Sequence, residues 1–267
     1  MWAAGLRWRA ATDARDAALA TSDRGGARIP GEGLPRSVAR YLDKAVPSGA
    51  PDIALARLKQ EGVFQMGEGD DGWRRFEGTE VMAAAPPGFY WDASIAAAPG
   101  MRVRVRDSYV RGSAEMVAKV LGVVTVVEAR DDEALRRGAL SRYLAEAAWI
   151  PTRLGTGPGL TWRASGPNWA EATLVDGGTT VSLRFVFDAA GDLIEVHGLR
   201  PREVEGDYVE TPWIGRFRDH DEVGGYRIPL HGEVAWVIDG EERPYWRGRI
   251  VEATFTAREP KGKQEGR

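Results

Sequence analysis

Strict alternation of apolar and polar residues governs what this chain can become. In MRVRVRD, Met101, Val103 and Val105 alternate with Arg102, Arg104 and Arg106; in GFYWDASIAA, Phe89, Trp91, Ala93 and Ile95 alternate with Tyr90, Asp92 and Ser94. Successive side chains on a strand point to opposite faces, so such a stretch makes a sheet with one dry face and one wet face. Parallel sheets are covered on both sides and read as continuous apolar runs, so the alternation favours antiparallel pairing. The pattern continues through NWAEATLVDGGTTVSLRFVFDAAGDLIEVHG and GYRIPLHGEVAWVIDGEERPYWRGRIVEATF, whose breaks DGG, AAGD and DGEER are glycine-containing hairpin signals. ALARLKQEGVFQM, WRRFEGTEVMAA and LTWRASG have the lengths and boundaries of further strands. VLGVVTVV at 120–127 is too short to cross a membrane and reads as a buried strand or a turn of helix.

Two segments break the period. LPRSVARYLDKAVP places Leu34, Val38, Tyr41, Leu42 and Ala45 near helical spacing before Pro47. The second, 132–149, is capped by Asp131 or Asp132, carries Leu135, Leu140, Tyr143, Leu144 and Ala147 as an apolar stripe, and stops before Pro151. A meander of about nine to eleven short strands must curl or close. Two helices cannot shield both faces of such a sheet. The expected fold is therefore mainly β (α+β): a strongly curved antiparallel half-barrel or open barrel, with helices 34–46 and 132–149 on its concave side or across its mouth. Residues 1–33 are expected to be a poorly ordered or loosely helical extension, 34–257 a single curved-sheet domain, and 258–267 a disordered tail.

Composition narrows the functional classes. No cysteine is present, which removes disulfides, thiol catalysis and cysteine-ligated metal sites. A formal net charge of -3 gives no global attraction to nucleic acid or to an anionic membrane. No apolar run reaches membrane-span length, and no apolar core resembling a signal peptide follows Met1, so a soluble cytoplasmic protein is expected if Met1 is the true start. GxSxG, HExxH, Walker and GxGxxG patterns in strand context are missing, and no cofactor or metal is expected. His197, His220 and His231 are the three histidines. The run Asp219, His220, Asp221 has metal-ligand chemistry, but neighbours on a strand point opposite ways, and a solvated loop is the expected setting. The row Arg102, Arg104, Arg106 and Arg111 is expected to be the wet face of a strand.

Several segments taken together, LPRSVARYL, WRRFEGTEV, PPGFYWDA, VRVRDSYVRG, SRYLAEAAWIPT, VSLRFVFDAAG, TPWIG, RIPLHGEVAW and PYWRGRI, resemble a bacterial family of unknown function over about residues 34 to 255. The order of helix, long meander, helical interruption and late GYRIP strand is also similar to the lipoprotein-carrier fold. That resemblance implies a curved half-barrel sheltering apolar chains beneath helices.

Ten tryptophans are the unusual feature of the composition. Large aromatics either fill a barrel-like core or, where the core is too wide to fill, line a cavity. The candidate ligand-binding residues are Trp91, Tyr109, Arg142, Tyr143, Glu146, Trp149, Trp213 and Trp236. Arg142, Glu146 and Trp149 share one side of the second helix, with Arg142 and Glu146 expected toward the rim or solvent. Exposed there, the pair contributes about 0.3–0.5 kcal/mol; buried, Arg142 is free to hold a carboxylate or phosphate head group. The reading is a non-enzymatic module for an apolar or amphipathic, lipid-like small molecule. The alternative is a hydrolase or isomerase using carboxylates such as Asp92, Asp107 or Glu146 in the same cavity. Ligand identity and oligomeric state are not written in the sequence.

Overall fold

The computed structural model describes residues 2–20, 33–67, 69–121, 124–155 and 157–258. Its strands are β1 (Ile53–Gln65), β2 (Trp73–Ala83), β3 (Gly88–Ala98), β4 (Met101–Val110), β5 (Ser113–Val120), β6 (Val124–Arg130), β7 (Leu160–Ala164), β8 (Trp169–Asp176), β9 (Thr179–Phe187), β10 (Leu193–Val204), β11 (Asp207–Val223), β12 (Tyr226–Ile238) and β13 (Glu241–Ala257). All 13 lie in one antiparallel sheet, in the order β6-β5-β4-β3-β2-β1-β13-β12-β11-β10-β9-β8-β7. It is a meander closed on itself in sequence: β1 pairs with β13, and hairpins run outward from that central seam to two free edges. The expected curved antiparallel meander is present, with more strands than the nine to eleven expected.

The extra strands come from two places. VLGVVTVV is neither buried nor helical; it spans the end of β5, a turn at Leu121 and the start of edge strand β6, and Val124, Val126 and Val127 are exposed. Asp219, His220 and Asp221 lie within β11, not in a loop. The register of β11 with β12 is unbroken through this run, from Arg218↔His231 to His220↔Pro229, and Asp219 between them has φ 57°. The unbroken polar run at 218–222 carries no apolar alternation, which hides the strand from a period-based reading.

Helix α2 (Arg36–Ala45) buries Val38, Tyr41, Leu42 and Ala45 against the sheet. Helix α3 (Glu133–Glu146) starts at Asp132, whose Oδ1 accepts from the Leu135 amide at 2.6 Å. It buries Leu140, Tyr143 and Leu144, then continues as two short 3-10 turns, Ala147–Trp149 and Pro151–Leu154. The helix thus stops three residues before the expected 149. Both helices pack on the dry concave face, within one aromatic core.

The N-terminal segment, expected to be poorly ordered or loosely helical, is helical and packed over part of its length. Trp2–Ala20 form helix α1, docked on the outer face of β2–β4, while residues 21–32 lie outside the described ones, as do 259–267 of the tail. Trp8 is 5% exposed: Arg104 and Arg106 stack on its ring at 5.0 and 4.1 Å, and its Nε1 donates to Asp92 at 2.6 Å. Leu19 packs with Leu55, Val81, Ala83 and Tyr90 in a second small core. The arginine row is therefore only partly wet, and Arg106 is buried beneath α1. Among the described residues no helix is long and apolar enough to cross a membrane.

Candidate functional site

The cavity begins with the bend of the sheet. Gly62 on β1 pairs with Gly248 on β13, and Gly248 pairs with Gly232 on β12, giving three bare positions side by side on the concave face. A Cβ at Gly248 would lie 2.3 Å from the Trp246 ring, and one at Gly232 would lie 3.1 Å from it. Trp246 therefore lies flat on the backbone, in a row of rings with Phe76 on one side and Trp149 on the other. Glycine is needed here for close approach, and such positions are where strands bend most easily.

Beyond these rings the bowl is wider than its side chains can fill. Between α3 and strands β3–β6 and β10–β13 lies a cavity of about 270 Å³. Its apolar walls include Phe64, Trp91, Met116, Leu135, Trp213 and Trp236. A register shift at Val234 leaves Tyr245 without a pairing partner on β12, so the consecutive residues Tyr245 and Trp246 both line the cavity.

A charge cluster forms one end. Arg142, on the inner side of α3, donates from Nη1 to Asp107 at 2.8 Å, from Nη2 to Glu80 at 3.2 Å, and from Nε to both oxygens of Glu146 at 3.0 Å. Its guanidinium also lies over the rings of Phe89 and Trp91 at 4.8 and 5.2 Å. The side chain is 16% exposed, so the expectation of Arg142 and Glu146 at the solvent rim is corrected: the apolar stripe of α3 is wide enough to bring both under the roof. Glu80 is wholly buried. Its other oxygen accepts from Gln60 Nε2 at 2.6 Å, and Gln60 in turn accepts from Trp91 Nε1 at 2.9 Å. Burial, reinforced by the charge of Glu146, pushes the Glu80 carboxyl well above the usual range, and Arg142 and Gln60 only partly oppose this. Hydrogen bonding toward Glu146 also pushes Glu80 upward. Burial works against the Arg142 charge, but Glu146, Glu80 and Asp107 outweigh it and hold the guanidinium protonated.

The sequence-derived candidates divide accordingly. Trp91, Arg142, Glu146, Trp213 and Trp236 line the cavity. Trp149 does not share the surface of Arg142: its Nε1 donates to the Pro229 carbonyl at 3.0 Å, deep in the core. Tyr143 is fully buried, its hydroxyl donating to the Ala83 carbonyl at 2.8 Å. Tyr109 donates to Asp176 at 2.8 Å, away from the cavity. Asp92 and Asp107 do not face each other, because Asp92 is on the outer face under α1 and Asp107 on the inner one. Among the described residues no group of acids and histidines is placed to hold a metal ion. Sequence reasoning missed Glu80, Gln60, Arg200 and Tyr245.

Fold and site together define a curled antiparallel half-barrel with an aromatic cavity roofed by one helix. The chain belongs to a family of unknown function (DUF6920), which matches residues 32–255. No curated protein matches it. Among solved structures, a LolA superfamily protein from Nitrosomonas europaea is 9% identical, with 82% of this chain and 92% of that one covered and a TM-score of 0.38. A β-barrel-like protein of the DUF1849 family from Brucella abortus is 13% identical, with 78% and 100% covered and a TM-score of 0.28. A porin-like protein from Bacteroides uniformis is 10% identical, with 77% and 96% covered and a TM-score of 0.26.

Proposed function

We propose that this protein is a non-enzymatic binding module that holds an apolar or amphipathic small molecule in the cavity beneath α3. We take residues 34–257 as the domain that carries this role. The observation behind the reading is the cavity itself. Aromatic walls leave an unfilled space of about 270 Å³, where a core built only for stability would be packed to crystal density. Polar groups are few and gathered at the ends, as suits a ligand with one polar terminus. Extraction of the purified protein with organic solvent, followed by mass spectrometry, is expected to release a bound amphipath. Tryptophan emission is expected to respond to a panel of lipids and shorter amphipaths, since Trp91, Trp213 and Trp236 form the walls. An empty extract together with an unresponsive emission spectrum would sink the reading.

One observation favours the enzymatic alternative: Asp107 and Glu146 line the cavity beside Glu80, whose carboxyl is raised toward the range of a general acid by burial and by Glu146. Against it, all three carboxylates already accept from Arg142. A hydrolase or isomerase of this kind would turn over a cavity-sized ester or ketone with a rate abolished by Glu146→Gln.

A further inference from the structure

The two polar ends of the cavity differ in what they have left to offer. Around Arg142 the guanidinium faces Glu80, Asp107 and Glu146, so its donors are committed. Even without Glu80, Asp107 and Glu146 outnumber Arg142. That end is acidic and has nothing to give an anion.

Arg200, across the cavity on β10, is in the opposite condition. Its Nη2 donates to the Gly138 carbonyl of α3 at 2.9 Å, and its Nη1 makes a long contact of 3.4 Å with the Tyr245 hydroxyl oxygen. Its Nε is buried with no acceptor, and no carboxylate among the described residues pairs with it. The Trp213 and Trp236 rings flank the guanidinium at 4.9 and 5.8 Å. Tyr245 adds a second donor. Its oxygen already accepts from Trp213 Nε1 at 2.9 Å and from Arg200, which leaves its own proton to give, and no described residue takes it. A buried donor without an acceptor is costly, and Arg200 Nε is one, on a half-buried side chain in the wall of the cavity.

We infer that Arg200 and Tyr245 are the head-group seat of this cavity, and that its ligand is an amphipathic monoanion of the carboxylate type. The carboxylate accepts from the Arg200 guanidinium and from the Tyr245 hydroxyl, and the apolar body lies against Trp91, Phe64 and Met116. A guanidinium and a hydroxyl donor side by side suit a planar carboxylate, whose two oxygens can each meet one of them. At about 30 Å³ per water-sized group, the cavity admits roughly nine non-hydrogen atoms, the scale of a medium-length acyl chain. This inference rests on the proposed binding role and assigns its ligand chemistry.

Octanoate, octan-1-ol and octylamine, titrated at neutral pH with tryptophan emission as the readout, share a tail and differ in head group. Octanoate is expected to bind about tenfold or more tightly than octan-1-ol, the scale of one charge-assisted hydrogen bond, with octylamine weakest. Arg200→Gln is expected to bring the octanoate-to-octanol ratio close to one, and Tyr245→Phe to lower it by a smaller factor. The comparison among the three ligands is made on the wild-type protein, so it stands even if Arg200→Gln fails to fold. Equal binding of acid and alcohol overturns the head-group seat but leaves the binding role intact. A preference for octylamine also overturns it and makes the Arg142 end the selector. If none of the three binds, the head-group seat falls; the binding role falls with it only if the solvent extract is also empty.

Discussion

Glu80 shows what one residue can reveal when the alternation is followed across it. On β2, Phe76, Gly78, Glu80 and Met82 share the dry face, so the pattern in WRRFEGTEVMAA already sets a carboxyl among apolar neighbours. Asp107 continues the dry series Met101, Val103 and Val105 in the same way, and Gln60 follows Leu58 on β1. Each is a polar residue at an apolar position, a legible sign of a buried polar network. Which partners answer it is not legible, because Arg142 arrives from a helix 62 residues away in sequence. The raised pKa of Glu80 has a consequence for stability. The folded state holds a proton that the unfolded carboxyl releases above its ordinary pKa of about 4.3. This group therefore favours folding fully only below that pH, and its contribution falls as pH rises toward the folded-state pKa. Glu80→Gln keeps the shape and can still hydrogen-bond Glu146 without needing a proton. Urea-unfolding free energies measured across that window should decline with pH more steeply for the wild type than for the variant. Parallel curves would mean that Glu80 is not the proton carrier.

At the level of elements, hairpins joined by DGG, AAGD and DGEER were readable because turn chemistry and alternation agree. The bulge in β13 was not, since it shifts the phase by one residue and brings Tyr245 to an unexpected face, and the polar run at 218–222 of β11 has no alternation to read. Helix α1 was legible only as a loose helical tendency, for a different reason. Its apolar content is small, and it docks mainly through Trp8 held between two arginines and Asp92, contacts made with strands some 84 residues further on. The bend in the central strands is an element-scale property with a direct test. Gly248→Ala puts a methyl group where the Trp246 ring lies, 2.3 Å away. It is expected to cost about 1–3 kcal/mol by overpacking and to shift tryptophan emission as the ring is displaced. A variant of wild-type stability and spectrum would show that the ring does not rest on the backbone there.

For the whole molecule, the question is what keeps a 13-stranded meander curled. At one end the β4–β5 turn touches the β8–β9 turn: a Cβ on Gly112 would lie 2.9 Å from Gly177 Cα. The two tips are far apart in the order of strands, so this contact closes the bowl. Tyr109 fastens it, its hydroxyl donating to Asp176. Burial raises the pKa of Asp176, and the Tyr109 hydrogen bond partly restrains the rise. Tyr109→Phe leaves that carboxyl short of a donor and is expected to cost about 1–3 kcal/mol. It should also speed amide exchange at both turn tips. A loss of stability without faster exchange at the tips would separate the residue from closure.

Local physics written in the chain determined the class of fold. A period of two dictates strands with one dry face, hairpin turns dictate antiparallel neighbours, and too few helices dictate curvature. The tryptophans and Arg142 were marked as candidates by type and position alone. Only the tertiary structure decided that Arg142 spends its charge on three carboxylates, that Trp149, Tyr143 and Tyr109 serve the core and the seams, and that Arg200 is left unpaired beside Tyr245. Those outcomes depend on which distant strands and helix meet across the bowl. Neither the alternation nor the turns encode that, because they fix the facing of a side chain without fixing its partner.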